Sequence, residues 1–257
     1  MKTGVDSSAG KSTLVNLLCR LYDPSRGKLL INNRPIQHYD PKELRKHIAV
    51  LFQERCTTLI GYPSHFIAFL EGFSVRENVG IGQVDRIDDD EALFTALSSS
   101  GLADFIRELP KSLDTKLGRP ADNELTRINS ILGPNAKQRS TDDGFISPSG
   151  GQLQRLALAR VFMRIREASL LILDEPSCNL DPEAEVELFK NIKRFRKGKT
   201  TIFITHRVNT VRIADRILVL EQGRVSEFGT HDELIKLPGG KYRYFDSLQR
   251  DALQGMP

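Results

Sequence analysis

Near the start of the chain, Gly10-Lys11-Ser12-Thr13 joins a glycine, a cation and two hydroxyls in the order a phosphate-gripping loop requires. Glycine lets the main chain approach phosphates closely, and successive N–H groups at a helix start present partial positive charge to them. The lysine neutralises phosphate charge, and the hydroxyl after it holds Mg²⁺. Lys11 and Ser12 fit those roles, Thr13 adds a second hydroxyl, and Ser8 and Ala9 lead into the loop. The strict pattern wants a glycine five residues before Gly10. Val5 stands there, and Gly4 is one residue too early.

A second group closes the run "LLILDE", a short apolar strand that delivers Asp174 and Glu175 at its carboxyl end. Open α/β sheets bind ligands beyond the carboxyl ends of their strands. Asp174 is thus placed to bind Mg²⁺ through water, and Glu175 to polarise an attacking water. An acidic strand end with no ligand is the alternative. The third group is "PSGGQLQRLALAR", where Ser149 and Gln152 have capping-box spacing and put Gly150 and Gly151 in the first turn of a helix. Leu153, Leu156, Ala157 and Arg160 recur along that helix. Glycine weakens a helix interior, so two at its start make sense if a phosphate must reach bare N–H groups.

The elements that position these groups follow from periodicity. Leu14, Leu17, Leu18 and Leu21 recur at helical spacing, which predicts a helix after Gly10 with one buried stripe. "DPSRG" is turn chemistry and "KLLINNRPI" behind it a hairpin; "HIAVLFQ" reads as a buried strand ending at Gln53. "DDDEALFTALSSSGLADFIREL" is helical, with acids at its start as the helix dipole favours. Next come the strand "SLLILDE", a helix "PEAEVELFKNIKRFR" with Val186, Phe189 and Ile192 on one face, and a second buried strand, "TTIFITH", ending at His206. "DRILVLEQGRV" predicts a hairpin, and "THDELIKL" a capped helix with Thr230 and Glu233 in capping-box spacing. Strands separated by helices predict an α/β protein with a mainly parallel sheet. Two stretches, between Gln53 and Ser74 and between Leu117 and Ser147, lack either period and read as long loops.

Composition narrows the class. With 27% charged and 39% apolar residues in 257, the chain can bury a full core and is not of disordered type. A net charge of +4 is too small to point to nucleic acid, and none is expected as a partner. Cys19, Cys56 and Cys178 have neither disulfide nor zinc spacing, which fits a reducing setting. No apolar run reaches the ~18–20 residues of a membrane span, and the start has no signal-peptide stretch; the chain as written reads as soluble.

Taken in order along nearly the whole length, the motifs resemble the nucleotide-binding domain of ATP-binding cassette (ABC) proteins. Gly10 to Thr13 match the end of Walker A, Gln53 the Q-loop glutamine, Ser149 to Gln152 the signature, and Leu170 to Glu175 Walker B. Asn179-Leu180-Asp181 is similar to the D-loop and His206 to the switch histidine. The connecting text "SVRENVGIG", "LPKSLDTKLG" and "GRVSEFGTHDELI" looks most like the exporter branch. The resemblance implies a P-loop NTPase core with an antiparallel β part and a helical subdomain carrying the signature, at about 75–165. It implies ATP and Mg²⁺ as ligands, and a second such domain, on the same or another chain, paired head to tail around two ATP molecules. Lys11, Ser12, Gln53, Asp174, Glu175 and His206 would serve one ATP, with Glu175, His206 and Gln53 catalytic and Ser12, Gln53 and Asp174 toward the metal. Ser149, Gly150, Gly151 and Gln152 would reach the partner's ATP, and Asp181 would link the two sites. A transmembrane domain, not encoded in these residues, would complete the transporter, with the cassette on the cytoplasmic face of a membrane.

Within the helical subdomain, 118–147 reads as a long polar loop. The chain departs from the family pattern in three places. Pro148 replaces the usual signature leucine, and 54–73 reads as an insert. The family also has a strand just before Walker A, and the nine residues before Gly10 show no strand pattern. The expectation is therefore one cassette over 1–257 lacking its first strands, with weak ATP binding and poor stability in isolation. Two alternatives stand beside an exporter ATPase: a shortened cassette that acts only by pairing with an intact partner, and a soluble ABC ATPase of DNA repair or translation.

Overall fold

The computed structural model describes residues 10–52, 70–118, 145–178 and 180–254. In chain order its elements are α1 (Lys11–Leu18), β1 (Leu30–Ile31), β2 (Arg34–Pro35), α2 (Pro41–Lys46), β3 (Ile48–Leu51), α3 (Val75–Gly80), α4 (Asp90–Ser99) and α5 (Ala103–Glu108). They continue with α6 (Gly150–Arg164), β4 (Leu170–Asp174), α7 (Pro182–Phe195), β5 (Thr200–Ile204), α8 (Val208–Val211), β6 (Ile217–Glu221), β7 (Arg224–Gly229), α9 (His231–Leu234) and α10 (Lys241–Gln254). The expected α/β class holds, with a parallel sheet in the order β3-β4-β5 and two antiparallel pairs, β1-β2 and β6-β7. Among the described residues no helix is long and apolar enough to cross a membrane.

The chain divides into two compact units, Met1–Ile48 with Ile202–Pro257, and Ala49–Thr201. In the first, α1 starts at Lys11 as its periodicity predicts, but Val15 is its one fully buried helical residue and the leucines are half-buried. Val15 and the buried Cys19, one turn apart, form the innermost line, and the leucines flank it. The hairpin β1-β2 turns through Asn32 and Asn33, both at positive φ (50° and 61°), the conformation asparagine tolerates best among non-glycine residues. Asp40 caps α2 by accepting from the N–H groups of Lys42 and Glu43. From α2, Arg45 donates to the main-chain oxygens of Cys19 and Arg20 at 3.0 and 2.6 Å, satisfying carbonyls that the end of α1 leaves open. The hairpin β6-β7 forms as expected, with Glu221 opposite Arg224 across a turn at Gln222 and Gly223.

The chain from "THDELIKL" onward differs from expectation in extent. Thr230 and Glu233 make the capping box, but α9 lasts only from His231 to Leu234. The longer helix is α10, which follows the last element expected from the residue pattern. Its first N–H groups lie at the Glu227 carboxylate of β7, and its buried Tyr242 packs with Ile217 and Leu234.

In the second unit, Leu171, Ile172 and Leu173 of β4 are at most 1% exposed. Burying each such side chain is worth about 1.5–3 kcal/mol, which makes the central strand the firmest support for what lies at its end. Strand β5, which spans the boundary between the two units, is half-buried rather than buried. In α7 the buried stripe is Leu188, Phe189 and Ile192, while Val186 is 55% exposed. At 100° per residue, Val186 lies nearly opposite Leu188, so Phe189 and Ile192 of the expected face are buried and Val186 is not.

Helices α3 to α6 pack together in the second unit. Ser74 and Glu77 make a capping box at α3, and the fully buried Asn78 accepts from Arg160 Nε at its carbonyl, 2.8 Å away. A Cβ at Gly82 would lie 2.2 Å from the Arg160 carbonyl oxygen, so only glycine allows the chain to pass α6 there.

Candidate functional site

Gly10 is the N-cap of α1, with φ 87° and ψ 9°. That left-handed conformation suits glycine, and a Cβ there would come into ordinary contact with Gly223 of the β6-β7 turn, 3.4 Å away. As a cap it has no side chain to cover the first-turn N–H groups, in the arrangement that admits an anion. Lys11 is half-buried, and Ser12 and Thr13 are exposed on the first turn. Ser8, Ala9 and Gln53 lie outside the described residues, as does Asn179.

In the second unit, Asp174 ends β4 and Glu175 follows it, 5% and 6% exposed. Glu175 sits at φ 49°, a left-handed conformation that costs a non-glycine residue roughly 1–2 kcal/mol. Such strain persists only where neighbours hold it, and it gathers at functional sites. One holder is Gln154 of α6, whose Nε2 donates to the Pro176 carbonyl at 2.9 Å and toward that of Glu175 at 3.4 Å.

The first turn of α6 is built as its spacing predicts. Gln152 N–H donates to Ser149 Oγ at 3.3 Å, and Ser149 N–H to Gln152 Oε1 at 2.7 Å. A Cβ on Gly150 would meet nothing within 4 Å, so the glycine faces open space at the helix start. One turn on, Arg155 donates to the Gly101 carbonyl at 2.8 Å and reaches Asp181 Oδ2 at 3.4 Å. Asp181 is the N-cap of α7, its carboxylate accepting from Ala184 N–H at 2.8 Å. That bond holds its carboxyl below the usual carboxylate range, and the Arg155 charge adds to the effect.

His206 lies two residues past the end of β5 and is exposed. Its main-chain oxygen accepts from Gln249 Nε2 of α10 at 2.7 Å.

Within the second unit, then, the structure gathers the strand end at Asp174 and Glu175, the start of α6 and the cap at Asp181. Gln154 and Arg155 are the residues that gather them, and the sequence reading passed over both. The signal was available: two polar residues inside "QLQRLALAR", a helix whose other inner positions are apolar.

In the first unit Ser12 offers a hydroxyl oxygen, and in the second Asp174 offers a carboxylate oxygen; each is a hard donor of the kind that suits Mg²⁺.

Residues 6–178 match the family model described as ABC transporter. The chain is 35% identical over 243 residues to an ATP-dependent lipid A-core flippase of Bordetella avium, covering 95% of this chain and 34% of the flippase. It is 34% identical over 247 residues to the mitochondrial iron-sulfur clusters transporter ATM1 of Saccharomyces cerevisiae, covering 95% and 30%. Among solved structures, a bacterial Atm1-family ABC exporter with ATP bound superposes with a TM-score of 0.73 at 29% identity, covering 95% of this chain and 35% of that one. The chain therefore spans about a third of the length of these relatives.

Proposed function

The chain belongs to the ABC transporter family, and from that premise we propose that it is the ATP-hydrolysing cassette that powers an exporter. The observation that carries the reading is the tie between Gln154 and the turn at Glu175 and Pro176. It couples the helix that opens with Ser149-Gly150-Gly151-Gln152 to the strand end that bears Asp174 and Glu175. The strained φ of Glu175 supports the same reading.

In this mechanism Lys11 and the first-turn N–H groups of α1 hold the β- and γ-phosphates of ATP. Ser12, Asp174 and Gln53 would hold Mg²⁺, which would supply positive charge against the charge developing on the transferred phosphoryl group. Glu175 orients the attacking water and accepts its proton, and His206 contacts the γ-phosphate. Ser149, Gly150 and Gly151 serve the ATP of a second cassette, with Gln152 closing the turn from which they act. Asp181 relays between the two sites. Rate then comes from positioning and charge, because little covalent chemistry is left to the protein.

The proposed partners are a second ABC nucleotide-binding domain and a transmembrane domain, as in the exporters that the chain is similar to, with the cassette at the cytoplasmic face of the membrane. The stretch from about 75 to 165 is read as the helical subdomain of a single cassette over 1–257.

Glu175→Gln is the test. It keeps the shape and removes the base, so ATP binding persists while phosphate release falls about a hundredfold or more, the scale of a lost general base. Phosphate release at an unchanged rate would rule out hydrolysis at this site.

A further inference from the structure

The segment that carries His206 is gripped at both ends by one helix. At one end, Gln249 of α10 donates to the His206 carbonyl at 2.7 Å. At the other, Arg212, the residue after α8, donates from Nε and Nη2 to Asp246 Oδ1 at 3.2 and 2.5 Å. Asp246 lies three residues before Gln249, on the same face of α10. Its side chain is fully buried, and Arg250 binds its other oxygen.

Stability alone does not account for a buried carboxylate. An apolar residue of similar size is often as stabilising as a buried ion pair, whereas an ion pair fixes one register between the elements it joins. The hydrogen bond to His206 has the same character, since an exposed carbonyl is equally well served by water. What both contacts supply is position. The N-terminus of α10 is itself fixed on β7, where the Glu227 carboxylate accepts from Tyr242 N–H at 3.1 Å.

We propose that α10 is the positioning element for His206, with Gln249 setting the main chain at the histidine and Asp246 setting the far end of its segment through Arg212. Neither residue touches nucleotide; both act through the placement of the imidazole. The proposal rests on the reading of His206 as the residue that meets the γ-phosphate.

The test compares the full chain with Gln249→Ala and Asp246→Leu, each labelled with ¹³C at histidine, the His206 signal being identified by its loss in His206→Ala. In Gln249→Ala the His206 signal moves and broadens while those of His38 and His47 stay in place, and Gln249→Lys, which keeps a donor of similar reach, brings it back. Asp246→Leu, which keeps an apolar filling where the ion pair was, moves the same signal. A His206 signal that is unmoved in both variants, or that moves no more than those of His38 and His47, overturns the proposal. In turnover, Gln249→Ala lowers kcat about tenfold at unchanged KM, as misplacement of a reacting group does, and costs nothing more in a His206→Ala background. An equal fractional loss in both backgrounds also overturns it. A wild-type chain that releases no phosphate would count against the ATPase reading alone, because the spectra decide the placement of His206 without turnover.

Discussion

Gln154 Nε2 stands 2.9 Å from the carbonyl oxygen of Pro176, so the helix that begins at Gly150 and Gly151 is bonded to the turn just past Glu175. The bond lies inside one compact unit, where α6 and the end of β4 share a frame. Gln154→Leu keeps the bulk and removes the donor. Turnover should fall about tenfold through misplacement of Glu175, while nucleotide affinity stays within twofold or so, because Gln154 touches no phosphate in this mechanism. Phosphate-release kinetics beside titration with a fluorescent ATP analogue separate the two effects. Parallel losses in both would show that the bond serves general stability.

Asp181 has two roles that substitution can divide. As N-cap of α7 it accepts from Ala184 N–H, and as an anion it meets Arg155. Asparagine caps almost as well as aspartate, whereas alanine costs about 1 kcal/mol. Urea unfolding should therefore find Asp181→Asn close to wild type and Asp181→Ala less stable by about that amount. If relay through Asp181 needs its charge, Asp181→Asn lowers turnover despite its normal stability.

The buried Asp246 makes a prediction about acid. Burial pushes its carboxyl up, but hydrogen bonds and charge from Arg212 and Arg250 outweigh burial and leave it below the usual range. A depressed folded value means that the group stabilises the fold fully above its unfolded value, about 3.9. That contribution is lost as pH falls through the lower folded value. Asp246→Asn should thus melt below wild type at neutral pH, and the gap in Tm should close at pH values beneath the ordinary carboxylate range. A gap that stays constant into acid would mean that Asp246 acts by shape alone.

Arg196, 4% exposed at the end of α7, spends its guanidinium on main-chain oxygens of Ile165, Ala168, Ser169 and Thr200 and on Thr201 Oγ1. It pins the turn before β4 to the start of β5. Arg196→Met should leave those carbonyls without a donor and cost about 2–4 kcal/mol in denaturant unfolding. Arg196→Lys should recover little, since a point charge cannot match a planar fork. Near wild-type stability for the lysine variant would contradict this account.

Features that depend on short spacing can be read from the residues alone. The capping boxes at Ser149 and Thr230, the turn chemistry of both hairpins and the apolar strand ending in Asp174 and Glu175 are set within a few residues. Local hydrogen bonds and side-chain alternation decide them, so the α/β class and the ordered motifs were legible. Where burial depended on a partner surface, local pattern fell short: Val186 shared a face with Phe189 on paper and faces solvent in the fold. That Gln154 meets Pro176, that Arg155 meets Asp181 and that Gln249 meets His206 follows from the packing of the fold. Those pairs are separated by 22, 26 and 43 residues. A polar side chain on a helix shows its periodicity in the sequence but not its partner, because the partner is chosen when elements pack, long after spacing has been read.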